Sequence, residues 1–318
     1  MSIKGLVSDL ARYFFYFPYR WLVNVLPLST VFAISRVGAV VWSKIDRSAR
    51  RRNVIANLKE GLRDGFFAGR IKRCYVDYLN TYILVRTGLL LFPSLAQRNL
   101  NDIFDDTGKV FIDEALRQKR GVICVSPHLG PLSVLIFWIG RHYNAAIIRI
   151  LHEEHLDTPG MRITHRLTQK LYKKYMPAKL IDPSRRLIVP RCRQKILEQN
   201  GILSETGDAT GIMLGRGKFI KVPFLGKQVF FPVGPFLFAL RTKTPIVPVF
   251  VKCDARKFKI VVEAPIQIQA STSDESKEET VRKGIFLFAK IFEKHLLKNP
   301  GNWLLWELFE KGKLICDE

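Results

Sequence analysis

Residues 121–141 read GVICVSPHLGPLSVLIFWIGR, and this stretch decides the fold that we expect for the chain. Residues 121–125 form a short apolar run, which is typical of a strand buried on both faces. A tight turn follows, and the apolar residues after Pro131 are numerous enough for a helix that begins at that proline. The pattern therefore places His128 at the carboxyl end of a strand and beside a helix N-terminus, where open α/β sheets form their ligand crevices.

Similar apolar runs at residues 145–151, 201–204, 246–251 and 258–262 predict further strands. Apolar periodicity predicts helices at residues 50–60, 69–92, 111–118, 157–176 and 187–199. Ser276 and Glu279 form a capping box at the start of a long C-terminal helix. We therefore predict a single α/β domain at residues 46–318, with a mixed, largely parallel central sheet flanked by helices.

Residues 1–45 are apolar and aromatic, and we predict that they form a membrane anchor. Pro18 and Pro27 are expected to interrupt any helix there. The longest uncharged piece, residues 21–35, is shorter than the roughly 20 residues that span a bilayer. Two short helices lying in the membrane interface are the preferred interpretation, and a single tilted span is the alternative. A cleaved signal peptide is not expected, because no small-residue cleavage site follows a compact apolar core.

The formal net charge is +23, which calls for an anionic partner. Nucleic acid is disfavoured, because helix-turn-helix, zinc-finger and RNP-type patterns are missing from the sequence. An anionic membrane surface is favoured, because the basic residues alternate with aromatic and aliphatic ones. A solvated basic face that serves only solubility is the remaining alternative. The five cysteines are scattered without paired spacing, so we expect reduced thiols facing the cytosol and no metal site.

Two further places in the sequence suggest binding or chemistry. Arg149 lies inside an apolar strand, where a guanidinium needs an anionic partner, either a substrate or a structural carboxylate. Glu205 and Asp208 lie in a glycine-rich turn at a strand end, where capping of the turn is the alternative role. Residues 152–155, HEEH, lack the spacing of the HExxH zinc motif and are predicted to form a solvated loop.

Several motifs together resemble the late acyltransferases of lipid A biosynthesis, within the wider set of glycerolipid and lysophospholipid acyltransferases. The motifs are SPHLGP at 126–131, IIRIL at 147–151, VPFLG at 222–226, FPVGP at 231–235 and NPGNW at 299–303. The resemblance implies a His-x4-Asp/Glu pair whose histidine is the general base. It takes a proton from the hydroxyl of a lipid or glycolipid acceptor as that hydroxyl attacks an acyl thioester. The thioester belongs to acyl carrier protein or coenzyme A, and no cofactor is bound.

The resemblance makes His128 the general base, but Ser133 stands where the family has its acid. Glu205 and Asp208 are the first candidates for the missing carboxylate, and Glu153, Glu154 and Asp157 are further ones. The alternative is a catalytically impaired relative that binds lipid without enzymatic activity. The other residues that we expect to bind substrate are Arg149, Ser133, Arg166, Lys170, Arg216 and Lys218. The expected location is the cytoplasmic face of a bacterial inner membrane, with either peripheral or single-span attachment.

Overall fold

The computed structural model describes residues 3–62, 68–148, 162–181, 188–208, 217–254, 256–269 and 276–316. The strands are β1 (Phe104–Thr107), β2 (Val122–Ser126), β3 (Ala145–Ile148), β4 (Lys179–Ile181), β5 (Ile202–Thr206), β6 (Phe219–Phe224), β7 (Lys227–Pro232), β8 (Ile246–Asp254) and β9 (Lys257–Val262). The main sheet has the order β1-β9-β8-β2-β5-β3-β4. Only its β8–β9 pair is antiparallel, while β6 and β7 form a separate hairpin. The prediction of a mixed, largely parallel sheet is confirmed.

Helices flank this sheet. They are α1 (Ile3–Val25), α2 (Leu28–Ile45), α3 (Ala49–Gly61), α4 (Ala68–Leu90), α5 (Phe92–Gln97), α6 (Leu100–Ile103), α7 (Lys109–Arg117), α8 (Leu132–His142), α9 (Arg162–Tyr175), α10 (Ile188–Arg193), α11 (Gly234–Thr242) and α12 (Lys277–Lys298). A π-helical turn, Gln194–Glu198, extends α10, and two 3-10 turns, Pro300–Asn302 and Leu304–Leu308, follow α12. The predicted helix at 157–176 is described from Arg162 onward, and residues 157–161 lie outside the described ranges.

The centre of the sheet is buried on both faces. Every residue of β2 is buried, as its uninterrupted apolar run predicts. On one side α12 packs a stripe of buried residues that recur at helical spacing, namely Val281, Ile285, Phe288, Phe292 and Leu296. Its N-terminus is capped as predicted, because Ser276 Oγ accepts a 3.1 Å hydrogen bond from the Glu279 N–H.

The N-terminal residues form two helices, but Pro18 does not interrupt the first one, so that prediction is wrong. A proline inside a helix removes one backbone hydrogen bond. Packing beyond the proline compensates, because Tyr19 Oη lies 2.8 Å from Thr87 Oγ1 and Asn24 Nδ2 donates to the Leu90 carbonyl at 2.8 Å. Pro27 does separate α1 from α2, as predicted.

Helix α2 has two unlike faces. One face is buried against α4, where Ser35 Oγ donates to Asn80 Oδ1 at 2.7 Å and Arg36 pairs with Asp77. The other face exposes Val37, Val41 and Ile45. With 18 residues and a mean hydropathy of 1.3, α2 is long and apolar enough to cross a membrane, by length and composition only. The division into an anchor at 1–45 and a domain at 46–318 stays a prediction.

Candidate functional site

The site lies at the carboxyl edge of the sheet, where β2 and β5 end side by side. These two strands pair in parallel, with Ser126 opposite Thr206, so the turns that follow them emerge together. The Gly207 N–H donates to the Ser126 carbonyl at 2.9 Å and fastens the two turns to each other. His128 in one turn and Asp208 in the other are thereby brought into contact, although 80 positions separate them in sequence.

The carboxylate of Asp208 holds both the backbone and the ring of His128. Oδ1 lies 2.5 Å from His128 Nδ1, and Oδ2 accepts the His128 backbone N–H at 2.7 Å. Asp208 is 3% exposed, whereas the histidine side chain is 24% exposed. A carboxylate at Nδ1 favours the tautomer with the proton on that nitrogen. Nε2 is then left with its lone pair available to accept a proton.

Two opposing effects set the pKa of His128. Burial disfavours the charged imidazolium and lowers the pKa, which is the largest single effect. The negative charge of Asp208 and its hydrogen bond both raise the pKa, and together they outweigh burial. The net result is a His128 pKa above its ordinary value of 6.5. Asp208 therefore stabilises the imidazolium that would form when His128 accepts a proton.

The segment after α12 forms hydrogen bonds to the turn that contains His128 and to Asp208. The Leu304 N–H donates to the His128 carbonyl at 3.0 Å, and the Gly130 N–H donates to the Asn302 carbonyl at 2.9 Å. Trp303 Nε1 donates to Asp208 Oδ2 at 3.0 Å. A buried indole N–H normally needs an acceptor. Trp303 also closes the NPGNW motif at 299–303, which is the sequence signal that pointed to this segment.

Two glycines allow these turns to approach their neighbours. Gly130 has φ +84, and a Cβ there would lie 2.2 Å from the Val251 carbonyl oxygen. A Cβ on Gly207 would lie 2.4 Å from Val125 Cγ1 and 2.5 Å from Phe288 Cζ. A side chain at Gly130 would push the His128 turn away from β8, and one at Gly207 would push the Asp208 turn away from β2 and α12.

His128 forms part of the wall of a cavity of about 370 Å³, a volume within the range of small-molecule sites. The rest of the wall is mostly apolar, and its aliphatic residues come from α4, α8, β3 and the segment after α12: Val85, Leu89, Leu132, Leu135, Ile136, Ile147 and Leu304. Polar groups from the strand ends, Ser126, Ser204 and Thr206, lie on the same wall. The cavity therefore suits a molecule that is largely apolar and has a polar reacting group.

Glu205 also lines the cavity, but no hydrogen bond joins it to His128. Burial raises the pKa of its carboxyl from 4.5 to about 7. Ser133 lies in the first turn of α8 on the same cavity wall. Its buried Oγ has no hydrogen-bond partner among the described residues and faces Gly88, where a Cβ would lie 3.1 Å away. Ser133 therefore does not serve as the partner of His128.

Of the remaining predicted binding residues, the three that the structure describes, Arg166, Lys170 and Lys218, are not on the cavity wall. Arg166 and Lys170 are exposed on α9, whereas Thr168 and Tyr172 of the same helix line the cavity. Lys218 is exposed just before β6. Arg149, Arg216 and the HEEH segment lie outside the described residues. Within the described ranges, no group of three or more His, Cys, Asp or Glu residues could hold a metal ion.

Fold and site together define an α/β protein with a histidine–aspartate pair on the wall of an apolar cavity at the carboxyl edge of the sheet. By sequence, residues 209–308 match the family described as bacterial lipid A biosynthesis acyltransferase. This match supports the acyltransferase class that the motifs predict, and it covers about a third of the chain, beginning directly after Asp208.

No curated protein matches the sequence. Among solved structures, the chain is similar to the 1-acyl-sn-glycerophosphate (LPA) acyltransferase from Thermotoga maritima, with 16% identity and a TM-score of 0.33. The alignment covers 92% of this chain and 97% of that one. At that TM-score the likeness gives no information about the site, and the fold description rests on the sheet topology of this chain.

Proposed function

We propose that this protein transfers a fatty acyl group from a thioester to the hydroxyl of a lipid or glycolipid acceptor. The observation that supports this most is the Asp208 carboxylate 2.5 Å from His128 Nδ1, on the wall of a largely apolar cavity. Ser133 in the family's acid position had suggested a catalytically impaired lipid-binding protein. Asp208 argues against that alternative, because it supplies a charged partner from another strand end.

In the proposed reaction His128 is the general base. Its Nε2 accepts the proton of the acceptor hydroxyl while the hydroxyl oxygen attacks the thioester carbonyl carbon. The tetrahedral intermediate collapses to the ester and expels the thiolate, which takes the proton back from Nε2. Asp208 remains ionised throughout, fixes the tautomer through Nδ1 and stabilises the imidazolium. The donor is acyl carrier protein or coenzyme A, and no cofactor takes part.

Attachment to a membrane brings the apolar substrates to the cavity. The exposed faces of α1 and α2 present large apolar side chains, among them Trp21 at 68% exposure and Val37 at 64%. Arg36 and Asp77 form an ion pair halfway along α2, and their side chains are 41% and 35% exposed. Such a pair is costly at the centre of a bilayer, so α2 is assigned to the interface and not to a span.

Basic residues on α9 extend the proposed membrane face. Arg166, Lys170, Lys173 and Lys174 are all exposed there. They suit an anionic membrane surface, and they also suit an acidic acyl carrier protein that delivers the thioester. Nucleic acid is not a proposed partner. The proposed location is the cytoplasmic face of a bacterial inner membrane.

An acyl-transfer assay tests this function. The purified protein in anionic vesicles is given radiolabelled acyl thioesters of carrier protein and of coenzyme A, together with lipid acceptors. Thiol release and acylated lipid are both measured. His128→Ala should lower the rate about 10²–10⁴-fold, the usual contribution of a general base. His142→Ala is the matched control, because His142 ends α8 and does not line the cavity. Equal thiol release by wild type and His128→Ala would remove the proposal.

A further inference from the structure

Arg86 is a cation on the cavity wall that neither the motifs nor the proposed chemistry uses. It is exposed on α4, directly after Val85 and about one turn before Leu89, which also line the cavity. The other acidic or basic side chains on the wall are His128, which is paired with Asp208, and Glu205, whose carboxyl has its pKa raised by burial and makes no ion pair with Arg86 among the described residues. Arg86 therefore forms no ion pair with another described group on the wall.

The guanidinium of Arg86 is held in place by Tyr82, one helical turn earlier. Its Cζ lies 3.7 Å from the centroid of the tyrosine ring, which is a cation–π contact. Nη2 donates to Tyr82 Oη at 2.5 Å and Nη1 donates to the Tyr82 carbonyl at 3.4 Å. A guanidinium has five N–H donors, and the others make no hydrogen bond to the described residues, so they can serve a ligand.

A second arginine, Arg50, contacts the same tyrosine ring but differs from Arg86 in having a carboxylate partner. The Cζ of Arg50 lies 4.8 Å from the Tyr82 centroid, and its Nε is 3.2 Å from Glu307 Oε2. Arg50 is thus neutralised and does not line the cavity. Arg86 has no carboxylate partner among the described residues. Of the two guanidinium groups that contact Tyr82 in the described part of the chain, the one without a carboxylate partner borders the cavity.

We propose that Arg86 binds the anionic headgroup of an amphiphile whose hydrocarbon chain lies along the apolar cavity wall. A phosphate monoester is the chemical class that fits best, because the planar guanidinium forks onto phosphate oxygens. The inference rests on the proposed function in taking this cavity as the substrate site. It makes the acceptor an anionic lipid, with Arg86 selecting the headgroup and His128 acting on a hydroxyl of the same or a neighbouring molecule.

Direct binding tests this without turnover. Isothermal titration calorimetry in neutral detergent compares dodecyl phosphate, dodecanol and inorganic phosphate on wild type, Arg86→Gln and Arg73→Gln. Arg73 is an exposed arginine on the same helix that does not line the cavity, so its variant loses the same charge. Wild type should bind dodecyl phosphate about 10- to 100-fold more tightly than dodecanol, the range of a charged hydrogen-bonded contact. Arg86→Gln should lose most of this preference and Arg73→Gln should keep it.

The inference would be overturned if Arg86→Gln kept the preference for dodecyl phosphate over dodecanol. It would also be overturned if Arg73→Gln lost as much of this preference as Arg86→Gln. Inorganic phosphate binding as tightly as dodecyl phosphate would also overturn it, by revealing a simple anion site. The outcome is independent of acyl transfer. A protein that shows the Arg86-dependent preference but no transferase activity refutes the proposed function and leaves the headgroup site standing. A protein with transferase activity but no Arg86-dependent preference refutes the headgroup site and leaves the proposed function standing.

Discussion

Trp303 Nε1 donates a 3.0 Å hydrogen bond to Asp208 Oδ2, while His128 Nδ1 contacts Oδ1 of the same carboxylate. The indole is 1% exposed and packs edge-on against Phe224 and Phe292. With the His128 backbone N–H, Asp208 therefore has three protein donors. Several donors fix the orientation of a carboxylate. The segment after α12 thus positions the acid that the histidine uses.

Trp303→Phe keeps the aromatic packing and removes one donor. The carboxylate, less satisfied by other donors, should then hold the imidazolium more tightly, so the His128 pKa should rise further. The acidic limb of the pH profile of kcat/KM should move to higher pH by up to about one unit. Trp306→Phe is the matched control, because Trp306 Nε1 donates to the Pro300 carbonyl and not to Asp208. A limb that moves equally in both variants would mean that the effect of Trp303 is only structural.

Ser133→Asp restores the family's acid at its usual position, and we expect no gain in turnover. Nδ1 of His128 is already occupied by Asp208, and Ser133 Oγ is buried against Gly88. A new carboxylate there has no described donor, so the variant should also be less stable by about 1–3 kcal/mol. Steady-state turnover and the melting temperature check both parts. A rise in turnover would show that His128 lacks an effective partner in the wild type.

Glu205→Gln should stabilise the protein in a pH-dependent way. The folded-state pKa of Glu205 is raised from 4.5 to about 7 by burial, so ionisation opposes folding. The wild type loses stability from this group as the pH rises between these two values, and the glutamine variant does not. The melting-temperature advantage of the variant should therefore be larger at about pH 8 than at about pH 5. Glu198→Gln, at an exposed position, controls for the lost charge. An advantage that is equal at both pH values would contradict burial as the cause.

Val37→Glu should weaken binding to anionic vesicles. Val37 is 64% exposed on the apolar face of α2, and a carboxylate placed there must remain in water. Gln118→Glu adds the same charge at an exposed position after α7 and should bind as wild type does. Vesicle flotation measures the bound fraction of each. Alkaline carbonate should release the wild type if α2 lies in the interface, and retention after that wash would indicate a span.

The centre of the fold could be predicted because its apolar residues show the patterns of buried strands and of a packed helix. The short apolar runs of β2 and β8 are typical of buried strands, and the stripe on α12 has helical spacing. The elements at the periphery of the fold, such as β1 and α1, could not be predicted. Strand β1 reads FDDT and exposes three of its four residues, so its sequence lacks a strand pattern and only pairing with β9 makes it one. Helix α1 continues through Pro18 because of contacts made with distant residues.

Only the part of the site that lies within one local segment of sequence could be predicted. The turn around His128 follows from an apolar strand and a proline at a helix start. Glu205 and Asp208 were equal candidates for its partner, because sequence gives the strand end but not which side chain turns toward the ring. The roles of Trp303 and Arg86 depend on contacts across the fold, and no local pattern indicates them. Which of these residues act in catalysis stays a prediction.

The pKa of His128 in the wild type and in Asp208→Asn tests the central claim most directly, by NMR titration of the labelled imidazole. In the wild type we predict a value above the ordinary 6.5, because Asp208 outweighs the effect of burial. Without the charge, burial dominates, so the pKa should fall by at least about one unit, and kcat should fall by about 10³–10⁴-fold as in comparable His–acid pairs. A His128 pKa that is the same in both proteins would contradict the account.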